Sequence, residues 1–244
     1  MFYDARGRKV LRLESGDPSF DIPIHVREAM EKALRDGQTH YTASTGIPVL
    51  RKAIFQKVTT ENKLTVPNDD HVVVTNGAMH GLYILFRALL EAGDEVILPD
   101  PMWTEIAENI RLAGGKPVPV VLREESGYQY DPADIEAAVT PRTKAIFVNT
   151  PHNPIGAVAS RETLEAIAKI AEKHNLFLIS DEAYEHVLYD GAEHVSLGSL
   201  PAARERTISV YSMSKTYAMS GLRLGYLVVN DPLLLDRIKK LVRC

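Results

Sequence analysis

The sequence predicts an α/β protein: a seven-stranded, mostly parallel mixed sheet flanked by helices. Three observations predict it. Seven short apolar or β-branched runs punctuate the chain, helical patterns lie between most of them, and the connection before the last run is too short for a helical crossover. Alternating strands and helices build a parallel sheet, and a short connection instead turns the final strand antiparallel to its predecessor.

The elements follow in order. Residues before 70 read as an N-terminal arm and a helix at about 46–58. The strand runs are HVVVT (71–75), DEVILP (94–99), KPVPVVL (116–122), KAIFVNT (144–150), LFLIS (176–180), TISVYS (207–212) and LGYLVVN (224–230). GAMHGLYILFRALLEAG (77–93) has a long apolar face and is expected to end at Gly93. RETLEAIAKIAEKHN (161–175) follows Ser160, a good N-cap, and places apolar residues at 164, 167, 168 and 171. DPLLLDRIKKLVRC begins another helix.

Composition narrows the function classes. The 244 residues are 45% hydrophobic and 25% charged, enough for one large core. The net charge is −4 with no basic run, which gives no reason to expect a nucleic acid or an anionic membrane as partner. Cys244 is the only cysteine, so an internal disulfide or a cysteine metal cluster is excluded, in keeping with a reducing cytoplasm. Neither an apolar signal core nor a membrane span is apparent. HExxH, GxGxxG and GxxxxGK[ST] motifs are absent from the sequence.

In open α/β sheets ligands bind beyond the carboxyl ends of the strands, so the residues after each run carry the functional reading. Asn76-Gly77-Ala78-Met79 follows the first run and opens a helix, whose N-terminal amides suit an anion. Trp103, the only tryptophan, follows the second run and offers a stacking face. NTPHNPIGA places Asn153, a donor and acceptor, between Pro151 and Pro154. His152 beside it reads as a solvated loop histidine. SDEAYEHVLY places Asp181 three residues before Tyr184, so that one turn presents a carboxylate and a phenol on one side. YSMSKTYAMSGLRLGY supplies the Ser212 hydroxyl, the Lys215 amine and the Arg223 fork. Desolvation and a neighbouring cation both favour the neutral amine of Lys215. Each cluster alone has an ordinary reading: a strand-to-helix turn, a core tryptophan, a rigid turn, a helix cap, a solvated lysine. Together they offer an anion cradle, a stacking ring, ring-edge partners and an amine nucleophile. That set fits an aromatic aldehyde bearing a phosphate, pyridoxal phosphate.

The motifs LESGDPSF (13–20), YTASTGIPVLRKAI (41–54), TNGAMHGLYILFRALLEAGDEVILPDPMWTEI (75–106), NTPHNPIGA (149–157), SDEAYEHVLYDG (180–191) and SMSKTYAMSGLRLGY (212–226) extend this. In these the sequence resembles the class I/II aminotransferases, fold-type I pyridoxal-phosphate enzymes related to aspartate aminotransferase. The resemblance implies pyridoxal 5'-phosphate as cofactor, with Lys215 as the Schiff-base lysine and proton shuttle. It implies Asp181 against the pyridine nitrogen, Tyr184 and Asn153 on the phenolic oxygen, and Ser212, Arg223 and the backbone of Gly77, Ala78 and Met79 on the phosphate. It implies Trp103 stacked on the ring, Gly16 near the substrate carboxylate, and Tyr41 reaching the phosphate of a neighbouring subunit in a homodimer. Amino acids and 2-oxo acids are the substrates it implies. A carbon–sulfur β-lyase on the same scaffold, or a truncated non-catalytic cofactor-binding or interaction module, are the alternatives.

By the same resemblance residues 1–45 form an N-terminal arm with part of a small domain and dimer contact, and 46–230 form the large cofactor-binding domain. Residues 231–244 start a helix leading to a C-terminal small domain that this sequence lacks. The arginine that grips the substrate carboxylate in the family has no match here. Ile155 stands where threonine is common in the family.

Overall fold

A computed structural model describes residues 2–3, 6–10 and 16–243. The first three residues of the LESGDPSF motif, 13–15, lie outside the described residues. A two-residue antiparallel pair, β1 (Phe2–Tyr3) and β2 (Lys9–Val10), precedes helix α1 (Ile24–Arg35) and helix α2 (Pro48–Thr60). The main sheet then forms from β3 (Val72–Thr75), β4 (Glu95–Asp100), β5 (Lys116–Val121), β6 (Thr143–Asn149), β7 (Phe177–Asp181), β8 (Thr207–Ser212) and β9 (Gly225–Val229). Between them run α3 (Ala78–Leu89), α4 (Thr104–Leu112), α5 (Pro132–Ala137), α6 (Arg161–Lys173) and the single turn α7 (Met213–Thr216); α8 (Pro232–Leu241) follows β9.

All seven strand runs become strands of one sheet, in the order β3-β9-β8-β7-β6-β4-β5. Strands β5, β4, β6, β7 and β8 are mutually parallel, and β9 is antiparallel to both β8 and β3. Six strands therefore end at one edge of the sheet, and β9 begins there. The register makes this edge specific: Asn149 pairs with Asp181, while Gly225 sits between Ser212 on one side and Thr75 on the other.

A sheet that buries both faces needs apolar residues on both sides of each strand. Val96, Leu98, Ala145 and Phe147 face a core shared with Leu82, Phe86 and Leu89 of α3, Ile106 and Ile110 of α4, and Leu234 and Ile238 of α8. The alternate residues Ile97, Ile146, Val148 and Leu178 face Leu164, Ile167 and Ala171 of α6 and Ile135 of α5. A third cluster packs Ile54 and Val58 of α2 on Val72, Tyr211, Tyr226 and Val228.

Local chemistry sets the helix ends. The Ser160 hydroxyl accepts the Thr163 N–H at 3.1 Å, the cap expected from the sequence. Asp231 does the same for α8, accepting from Leu234 N at 2.7 Å ahead of Pro232. Helix α3 ends at Leu89, before the expected Gly93. Leu90 turns extended and stays buried, and the Asp94 carboxylate takes the Glu91 N–H at 2.9 Å. Gly93, at φ 83°, instead serves the turn into β4 and donates its N–H to Gly114 O. Helix α1 has no buried residue. Among the described residues no helix is long and apolar enough to cross a membrane, and no cluster of three metal-ligating side chains occurs.

Candidate active site

Where the strands end, an open cavity forms. It is lined by Ala78, Met79, Trp103, Asn153, Asp181, Tyr184, Ser212, Lys215 and Arg223, nine of the residues singled out in the sequence. Five separate strand-to-helix or strand-to-loop junctions are brought together.

At one end lies the anion cradle. The first-turn amides of α3 have no acceptor within the helix. Gly77 opens it at φ 82°, a left-handed conformation that suits glycine. A Cβ on Gly77 would run into the Arg223 guanidinium, so the missing side chain is what lets Arg223 lie over the helix start. Arg223 is itself left-handed at φ 52° and donates through Nη1 to Ser220 O at 2.8 Å. The Ser212 hydroxyl accepts from Ser214 N at 3.1 Å. The register of β3, β9 and β8 sets these groups side by side, and it leaves no room at Gly225. A Cβ there would stand 2.6 Å from Ala78 N, 2.7 Å from Gly77 C and 2.8 Å from Tyr211 O, all backbone atoms. Gly225→Ala is accordingly expected to cost about 1–3 kcal/mol or more through overpacking, read as a lower urea midpoint.

Asp181 lies across the cavity at the end of β7. Its Oδ1 accepts from Ala183 N at 3.2 Å, so it also performs the turn-capping role open to it in the sequence. Burial pushes its carboxyl up to about 7, the Ala183 bond opposes this, and the neighbouring Glu182 adds to it. Burial and Asp181 likewise raise the Tyr184 phenol. Lys215 Nζ sits 5.7 Å from the centre of the Tyr184 ring and donates to Gly16 O at 2.8 Å. Burial lowers the Lys215 pKa, Asp17 opposes the shift, and Arg223 reinforces it. A Cβ on Gly16 would lie 3.5 Å from Lys215 Nζ and 3.6 Å from the Tyr184 hydroxyl, which places that glycine beside both cavity side chains.

Trp103 precedes α4 and is 44% exposed, so the core reading of this tryptophan gives way to a cavity wall. Leu82, Met102, Ile106 and Phe147 add apolar lining that sequence reasoning did not name. Asn149 was also missed, although it is the penultimate residue of the 144–150 run and opens the NTPHNPIGA motif. Tyr41 is outside the cavity, fully exposed in the loop between α1 and α2.

His152 corrects an expectation. It is not a solvated loop residue: it is 4% exposed, and neither ring nitrogen has a partner among the described residues. The loop folds back so that Gly156 N donates to His152 O and His152 N to Ala157 O, which turns the ring inward, edge-on to Tyr130. Burial pushes its pKa down to about 4. A histidine depressed on folding contributes full stability above its unfolded pKa and loses it as pH falls towards the folded one. His152→Phe is therefore expected to remove up to about 3 kcal/mol of acid sensitivity between pH 6.5 and 4. Urea unfolding at both ends of that window measures it.

A helix start with free amides, a guanidinium, a partly desolvated amine, a buried acid and an aromatic wall thus line one cavity. The family description Aminotransferase class I and II matches residues 8–244, and the chain belongs to that family. The cofactor of the family is pyridoxal 5'-phosphate, and the donor set of the cavity fits it. The chain is 45% identical over 221 residues to the aspartate/prephenate aminotransferase of Thermus thermophilus, covering 91% of this chain and 56% of that protein. Aspartate aminotransferase from Thermus thermophilus with maleate superposes with a TM-score of 0.89 at 43% identity, covering 93% of this chain and 58% of that one. The aromatic aminotransferase from Pyrococcus horikoshii OT3 superposes with a TM-score of 0.92 at 38% identity, covering 95% and 61%. The chain thus spans little more than half the length of the relatives it matches.

Proposed function

We propose that the cavity binds pyridoxal phosphate on Lys215 and that the whole protein is an aminotransferase moving an amino group between an amino acid and a 2-oxo acid. The observation that carries this is the convergence of Lys215, Asp181, Arg223, Ser212, Tyr184 and Asn153 on one cavity. When bound, the cofactor supplies an electron sink for the charge left at the substrate α-carbon.

The chain's own residues do the rest. Arg223, Ser212 and the α3 amides hold the phosphate dianion. Asp181, whose carboxyl burial pushes up to about 7, would lie against the ring nitrogen and, as a carboxylate, favour a proton there. Tyr184 and Asn153 offer hydrogen bonds to the phenolic oxygen. Lys215, its ammonium form disfavoured by burial, serves as the covalent anchor. Once freed by the substrate's amino group, the same amine would take the substrate α-proton and deliver it to the cofactor carbon across the bridging nitrogen, two atoms along. Trp103 and Ile106 exclude water from the ring face.

We further infer the organisation that the resemblance implies: residues 1–45 as arm and dimer contact, 46–230 as the cofactor domain, and α8 as the entry to a small domain. The full exposure of Tyr41, the absence of any buried residue in α1 and the position of Gly16 beside Lys215 support it. A homodimer in the cytoplasm belongs to the same reading.

Incubation of the whole protein with cofactor, an amino acid and a labelled 2-oxo acid tests the function. Amino transfer to the labelled acid is expected. Pyruvate and ammonia released from a cysteine conjugate without any acceptor would establish a β-lyase instead.

A further inference from the structure

Tyr130 does not line the cavity, yet it holds the strand end on which two cavity residues depend. Asn149, the last residue of β6, pairs with Asp181 on the β7 side. On its other side the ladder to β4 runs only as far as Ile97 against Ile146. A buried peptide group beyond the end of a ladder needs other partners. Tyr130 supplies both: its hydroxyl donates to Asn149 O at 3.0 Å and accepts from Asn149 N at 2.9 Å. One phenol thus replaces the next residue of a neighbouring strand. Burial raises the Tyr130 pKa and Asp181 adds to the rise, so the hydroxyl remains a donor.

The fixed backbone then aims a side chain. Asn149 Nδ2 donates to Asp181 O at 3.1 Å, and its Oδ1 accepts from Asn153 N at 2.8 Å. This buried amide ties the loop carrying Asn153 to the strand end carrying Asp181, two groups that face the cavity from different elements. We propose that Tyr130 is a positioning residue: by closing the end of β6 it lets Asn149 set the separation of Asn153 and Asp181, and the affinity for pyridoxal phosphate depends on it. This rests on the reading of the cavity as the pyridoxal-phosphate site.

The test compares the 244-residue chain with Tyr130→Phe, Asn153→Ala and the double variant. Amide hydrogen exchange is followed without cofactor, and pyridoxal phosphate is then titrated. Tyr130→Phe leaves both polar groups of Asn149 unpaired and is expected to weaken binding about tenfold. It is also expected to speed exchange at the Asn153 amide. The double variant should lose little more than the worse single one, because both act through the same loop. Unchanged Asn153 exchange, or fully additive losses of affinity, would overturn the positioning role. Failure of the unsubstituted chain to take up pyridoxal phosphate would instead overturn the reading of the cavity. Should Tyr130→Phe not fold, the unsubstituted chain decides: slow exchange at Asn149 supports the brace, and exchange as fast as an open strand end refutes it.

Discussion

Lys215→Ala is expected to abolish covalent capture of pyridoxal phosphate while leaving the fold in place. The visible absorbance of a lysine-linked cofactor should be missing, and borohydride reduction should leave no labelled peptide spanning 213–223. The fold survives because Lys215 sits in a single helical turn after β8 and its side-chain amine donates to Gly16 O, outside the main sheet. Loss of the amine as proton carrier alone is worth about 10²–10⁴-fold in rate, and loss of the anchor adds to it. In this pocket the amine is set against a backbone carbonyl and an aromatic ring, within reach of Arg223, and burial disfavours its charged form. Among the described residues no other lysine lines the cavity. A reducible adduct that persists in Lys215→Ala would move the anchor elsewhere and remove the basis of the proposed function.

The strands were legible because each is a short apolar run bounded by breakers, and all seven joined one sheet. The antiparallel placement of β9 followed from connection length alone. The cavity residues were legible because a parallel sheet sends its carboxyl ends to one edge, so position in sequence reports position in space. What failed depended on tertiary burial. His152 lies in a loop between prolines and looks solvated, but inward folding of that loop buries it. The apparent helix to Gly93 was cut short by Asp94 capturing a backbone amide. Asn149 and Tyr130 were invisible for another reason. Their importance lies in hydrogen bonds between residues 19 apart, and neither periodicity nor local motif encodes such a pairing. Gly225 sat within a recognised motif, but its role needs the close approach of β9 to the start of α3.

Asp181→Asn is expected to make the cofactor-free chain more stable above pH 7 and the loaded protein less active. The two effects have one cause. Burial lifts the Asp181 carboxyl from 3.8 to about 7, so the ionised form is disfavoured in the free pocket. An acid whose pKa rises on folding loses stability as pH climbs from its unfolded to its folded value, here between about 4 and 7, and the loss is complete above that window. Three pKa steps correspond to about 4 kcal/mol at most. Asparagine has nearly the same shape, can still accept the Ala183 N–H, and does not ionise. Urea unfolding should therefore show Asp181→Asn more stable by about 2–4 kcal/mol at pH 8 and nearly equal to the unsubstituted chain at pH 4. The His152 contribution cancels, since both chains carry it. Equal stability at pH 8 would mean that the carboxylate is already compensated and holds no electrostatic reserve for a ligand. With pyridoxal phosphate bound the sign reverses, because a neutral amide cannot hold the proton on the ring nitrogen. Removing one preorganised charge of this kind costs about 10²–10³-fold in rate. A pocket that is unstable when empty because it carries an unpaired acid is one shaped for a cationic partner, and the opposite responses of stability and activity to one substitution distinguish that design from a merely structural aspartate.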